Sequence, residues 1–174
     1  DHETAEIGLR AAMTGHMVLS TLHTNDAVST AMRLLDMGVD NYLVASSLRA
    51  VMAQRLVKRL CDHCQEDQQA DEQEKAWLLS LDAEISQFSF RHGRGCHHCN
   101  NTGYSGRIGI YELLEMDEKM ISAMRQNSAE DFAQAAMAHP KFRPLALCAL
   151  DYAKQKVTSL DEVFRISASL GDGG

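Results

Sequence analysis

Four of the five cysteines form two tight pairs, Cys61-x-x-Cys64 and Cys96-x-x-Cys99, with thirty-one residues between them. Each pair can place two thiolates on one turn. Two such turns brought together make a closed S₄ shell, the tetrahedral environment that Zn²⁺ prefers. Four thiolates leave no open position for a reacting molecule, so such a metal is structural and stabilises a segment too small to bury its own core. Chance disulfides and unligated thiols are the alternatives. His63, His97 and His98 lie beside the pairs, and any one of them can replace a thiolate. Cys148 stands alone in an apolar run and reads as a buried small side chain.

A second segment offers polar groups at the end of an apolar run. Met17-Val18-Leu19-Ser20-Thr21-Leu22 is followed by His23-Thr24-Asn25-Asp26. Read as a buried strand, the run would place His23 at its carboxyl edge, where open α/β sheets bind ligands. An imidazole there can hydrogen-bond a phosphate; a half-buried histidine ahead of a capped helix is the plainer alternative. No G-x-x-x-x-G-K-[ST] occurs anywhere, so these residues contain no loop to cradle phosphates. Arg49, Arg55, Lys58 and Arg59 make a basic stripe, either a solvated face or a contact for a subunit, a phosphate or an acidic lipid.

These groups need elements to position them. Residues 3–15 read as a helix that Gly15 ends, and a second helix runs from about Asp26 to Met37, capped by Thr24 or Asn25 and ended by Gly38. Residues 41–50 read as helix, and 51–60 fit helix or strand equally. Residues 65–74 are polar and read as an exposed excursion, with a small helix around Trp77–Leu81. Asn100–Gly109 reads as a glycine-rich hairpin carrying Arg107, and Ile110–Leu114 as a strand. Helices are expected over about 117–126, 128–138, 145–156 and 159–168, with Ser128 and Ser159 as caps.

Composition agrees with a globular chain. Of 174 residues, 45% are hydrophobic and 24% charged, with few aromatics (6%) and two prolines. That balance leans toward helix and against a β-sandwich. The net charge of −7 and pI near 5.6 argue against a nucleic-acid binder. No run of about 18 apolar residues suggests a membrane span. The start, Asp1-His2-Glu3-Thr4, is no signal peptide and reads as a cut inside a longer protein.

Taken together, these residues resemble the secretion ATPases, the motors of type II secretion and type IV pilus assembly. The likeness is carried by Asp1-x-Glu3-Thr4-Ala5, by Thr14-Gly15-His16-x-Val18 through Asp26, and by Arg33-Leu34-Leu35-Asp36-Met37-Gly38. It continues in Gln54-Arg55-Leu56-x-x-Arg59-Leu60-Cys61 and in Cys96-x-x-Cys99 through Gly106-Arg107-x-Gly109-Ile110-Tyr111-Glu112. It ends at Val157-Thr158-Ser159-Leu160-x-Glu162-Val163. The tetracysteine segment favours the assembly and secretion branch over the retraction motors.

The resemblance implies an α/β fold: the distal half of a RecA-like P-loop ATPase core, with few strands and mostly helical. Residues 1–60 would be core with the histidine box, 61–106 a tetracysteine zinc-binding subdomain, 107–170 a C-terminal strand and helical region, and 171–174 a disordered tail. It implies His23 and His16 as catalytic residues, Arg107 at the nucleotide or a subunit boundary, Thr24 and Asp26 behind them, and zinc on Cys61, Cys64, Cys96 and Cys99. ATP and Mg²⁺ would be used by the full-length protein, and the fragment alone would be inactive. The implied partners are five further copies in a hexamer and an inner-membrane platform protein. The location would be the cytoplasmic face of the bacterial inner membrane, with no nucleic acid bound. One departure is Pro140-Lys141-Phe142-Arg143-Pro144-Leu145, where family members often carry a basic Gly-Met-Arg stretch. A zinc-ribbon interaction module without enzymatic role and a redox thiol protein are the competing classes.

Overall fold

The computed structural model describes residues 1–81 and 88–171. The chain is mixed α/β with few strands: helices α1 (His2–Met13), α2 (Ala27–Asp36) and α3 (Asn41–Ser47), then strand β1 (Ala50–Leu60). Strand β2 (Gln65–Gln68), helix α4 (Glu72–Leu81), strand β3 (Phe90–Gly93) and the long strand β4 (Tyr104–Glu115) follow. Helices α5 (Glu118–Arg125), α6 (Ala129–Met137), α7 (Leu145–Lys154) and α8 (Leu160–Gly171) complete it. β1 pairs with β4, and β2 pairs antiparallel with β3. The residues group into two compact units, 1–53 with 112–143 and 54–111 with 144–174. Their boundaries fall inside β1 and β4.

In the first unit, α2 packs on α3 and α6, α3 on α1 and α5, and α5 on α6. Its core includes Ala31, Val44, Leu114, Met120, Met124 and Phe132, all wholly buried. Each large apolar side chain taken out of water there contributes about 1.5–3 kcal/mol. α2 starts where it does because the Asp26 carboxylate accepts the Ser29 N–H at 2.7 Å. The cap is therefore Asp26; Thr24 instead hydrogen-bonds the Thr30 hydroxyl. Asp40 caps α3 in the same way, accepting from Tyr42 and Leu43.

In the second unit α7 packs on α8, and both contact β3. Glu162, only 3% exposed, ties the start of α8 to β1. It accepts the Lys58 backbone N–H at 2.8 Å and the Arg165 guanidinium at 2.7 Å, while Thr158 donates to the Lys58 carbonyl at 2.7 Å. Burial alone would raise the Glu162 carboxyl. The hydrogen bonds from Arg165 and Lys58, with their charges, outweigh it and hold it below the ordinary carboxylate value. Trp77 of α4 meets Phe164 with ring centroids 4.5 Å apart.

Several expectations hold. The helices begin and end within a few residues of their expected bounds, with Gly15 and Gly38 at positive φ just past α1 and α2. Ser128 and Ser159 accept from Asp131 and Glu162. Residues 51–60 resolve as strand, Val51, Ala53 and Val57 facing inward between exposed Met52, Gln54, Leu56 and Lys58.

Others are corrected. Residues 17–22 form no strand: the run has no regular secondary structure, with Met17 89% and Leu19 88% exposed. An apolar run becomes a strand only beside a partner, and both described sheets pair elsewhere. Residues 41–50 are not all helix, since α3 stops at Ser47 and Ala50 enters β1. Residues 100–109 are not a hairpin; a turn at 100–103 leads into one unbroken strand, β4. Part of the polar excursion is β2, because Gln65–Gln68 finds a partner in β3. Cys148 is half-buried rather than buried and donates to the Tyr111 carbonyl at 3.1 Å. The disordered tail placed at 171–174 lies, beyond Gly171, outside the described residues. Among the described residues no helix is long and apolar enough to cross a membrane.

Candidate functional site

The two cysteine pairs are brought together by strand pairing. β2 follows the first pair and β3 precedes the second, so their antiparallel register, from Gln65 opposite Gly93 to Gln68 opposite Phe90, sets both pairs at one end of the ribbon. Each pair sits on a tight turn: Cys64 N–H donates to the Cys61 carbonyl at 3.2 Å, and Cys99 N–H to the Cys96 carbonyl at 3.2 Å. Asn100 and Asn101 take left-handed conformations (φ 51° and 60°) to reverse the second turn. Gly103 closes it, and here glycine is required. Its φ is +78°, and a Cβ would collide with the Gly93 backbone. The gap between turns is bridged by Cys61 N–H to Gly103 carbonyl, 3.0 Å, and Arg94 N–H to Cys64 carbonyl, 3.1 Å.

The four Sγ atoms all lie within 4.8 Å of one another, and they alone among the described residues form such a group of metal ligands. Cys61 and Cys96 are 3.9 Å apart, Cys64 and Cys99 3.8 Å, Cys96 and Cys99 3.7 Å. A tetrahedron of thiolates with metal–sulfur bonds of about 2.3 Å has edges of about 3.8 Å, so the donor set fits a four-coordinate ion. Burial would raise the Cys99 thiol, but the N–H groups of Cys96 and Gly103, each 3.2 Å from its sulfur, draw it down to about 6. Burial pushes the Cys64 thiol up to about 12. His63, His97 and His98 are not in the ligand set. Their exposed rings stack on one another, with centroids 3.9 Å apart for His63–His98 and for His97–His98.

The histidine segment belongs to the first unit. His16 is exposed, its Nδ1 3.1 Å from the Thr14 hydroxyl, and His23 is exposed on the irregular segment that leads into α2. Thr24 and Asp26 follow it, half-buried and engaged at the start of α2. Arg107 is exposed on the part of β4 in the second unit. One residue escaped notice in the sequence. Glu112 is 2% exposed, and its carboxylate accepts the N–H of Ala27, the first residue of α2, at 2.5 Å. The signal was present: an acidic residue stands at an inward position of β4, between Ile110 and Leu114.

Residues 1–165 match the family described as "Type II/IV secretion system protein". The chain is 43% identical over 173 residues to a type II secretion system protein E of Pseudomonas aeruginosa, covering 96% of this chain and 33% of that protein. It is 41% identical to the type IV pilus assembly ATPase TfpB of Acinetobacter baylyi, covering 95% and 28%. It thus spans about a third of the length of the curated relatives it matches. Its fold is similar to that in a crystal structure of the pilus retraction motor PilT with bound ADP, with a TM-score of 0.60 and 21% identity, covering 95% of this chain and 36% of that one.

Proposed function

Since this chain belongs to the Type II/IV secretion system protein family, we propose that it is the distal part of the motor domain of an ATPase that powers type IV pilus assembly or type II secretion. The observation that carries the reading is identity near 40% across almost the whole chain to proteins named for both systems. The full-length protein is a RecA-like hexamer that binds ATP and Mg²⁺ and works at the cytoplasmic face of the inner membrane against a platform protein. Residues 1–60 belong to its core, 61–106 form a zinc-binding subdomain and 107–170 the C-terminal strand and helices.

Zinc on Cys61, Cys64, Cys96 and Cys99 is supported by the all-sulfur donor set and its tetrahedral edge lengths. It supplies cross-linking, not chemistry. The work on nucleotide falls to other residues. His23 donates to a γ-phosphate oxygen, and His16 assists on the same segment. Thr24 and Asp26 hold that segment to α2, and Arg107 serves the nucleotide or a subunit boundary. Deleting the gene in its host tests the proposal. The expected result is loss of surface pili or of exported proteins, restored by the intact gene; unchanged piliation and secretion would contradict it.

A further inference from the structure

A carboxylate is a costly occupant of an inward strand position, because it loses its hydration and gains only what the protein offers in return. The fold offsets that cost with partners, of which the Ala27 amide is one. What Glu112 does there is specific: it accepts the N–H of Ala27, itself wholly buried, across 85 positions of sequence. The first amides of a helix have no partner within it, and negative charge is favoured beside them. Asp26 provides for the Ser29 N–H, and Glu112 for that of Ala27. Between them they fix where α2 begins. Thr30 donates to the Asp26 carbonyl at 2.6 Å and hydrogen-bonds Thr24, so the residue after His23 is tied to the same point.

We infer that Glu112 is a positioning residue for His23: its buried carboxylate pins the first turn of α2 and thereby sets the path of the segment that presents the imidazole. The inference rests on the proposed role of His23 in ATP hydrolysis. An apolar residue at 112 leaves the buried Ala27 amide without its acceptor, which costs stability as well as position, so turnover is read at a temperature where the variant stays folded.

The test uses the full-length protein with Glu112→Leu and Glu112→Gln. Three properties are read: the melting temperature, amide hydrogen exchange of residues 24–30, and kcat and KM for Mg-ATP. Glu112→Leu is expected to melt somewhat below the parent, to exchange about tenfold faster over 24–30, as for one lost hydrogen bond, and, while folded, to lose about tenfold in kcat with KM within about twofold. Glu112→Gln keeps an acceptor in place and is expected to recover most of the protection and turnover. Parent-like exchange or parent-like kcat in Glu112→Leu overturns the inference. So does a fall in kcat that Glu112→Gln does not lessen. If Leu does not fold, Glu112→Met, of similar length and uncharged, replaces it. If the parent hydrolyses no ATP, the proposed function fails by itself, and exchange over 24–30 still decides the role of Glu112.

Discussion

His23→Ala in the full-length protein lowers Mg-ATP turnover by about 10²-fold or more, the scale of removing one positioned donor to developing charge. The side chain is exposed and leads directly into the start of α2. On the proposed function, the imidazole donates one hydrogen bond to a γ-phosphate oxygen of bound nucleotide. That bond is lost on product release. α2 begins only a few residues on, so its presence or absence is felt by a rigid element, as in nucleotide switches generally. Nucleotide affinity is expected to change much less, because in the proposed motor a phosphate loop would supply most of the binding. Single-turnover and binding measurements separate the two effects. Equal turnover in mutant and parent would reduce His23 to a structural residue.

Cys61→Ser releases the metal. The parent is expected to carry about one Zn²⁺ per chain, and a serine hydroxyl does not replace a thiolate in a closed S₄ site. Structural zinc supplies apparent folding energy of order 10 kcal/mol in small domains, so its loss is felt strongly where little else holds the chain. That is the case at the cysteine turns and at β2, which is Gln-Glu-Asp-Gln with no apolar side chain to bury. Residues 61–99 loosen, seen as fast amide exchange, while the helical core of the first unit keeps its protection. Cys148→Ser, outside the donor set, leaves zinc content unchanged. Zinc retained at one per chain in Cys61→Ser, or a parent without zinc whose cysteines are bridged in reducing buffer, would refute this.

What could be read from the sequence depended on range. The cysteine pairs were legible because each turn needs only four residues, and the four sulfurs do converge. The helices were legible because caps and apolar spacing are local: Ser128 accepts from Asp131, and Gly38 follows α2 as a stop. Strands were not, because pairing decides them. Residues 51–60 carried both periods, and only β4 settled the matter. Residues 17–22 have every local mark of a strand and find no neighbour among the described residues. Gln65–Gln68 has none of those marks and is a strand because β3 lies beside it. The burial of Glu112 was illegible for the same reason, since its partner Ala27 is 85 residues away. The cap of α2 went to Asp26 rather than Thr24 because the Thr24 hydroxyl is engaged by Thr30.

The most direct test of the motor reading is steady-state ATP hydrolysis by the full-length protein, measured with and without Mg²⁺ beside the isolated 174-residue chain. The full-length protein is expected to turn over ATP only with Mg²⁺. The isolated chain is expected to show none, because phosphoryl transfer needs a phosphate loop, a metal site and a base held together, and no G-x-x-x-x-G-K-[ST] loop exists in these residues. No Mg²⁺-dependent turnover by the full-length protein, or turnover by the isolated chain that depends on His23, would contradict the account.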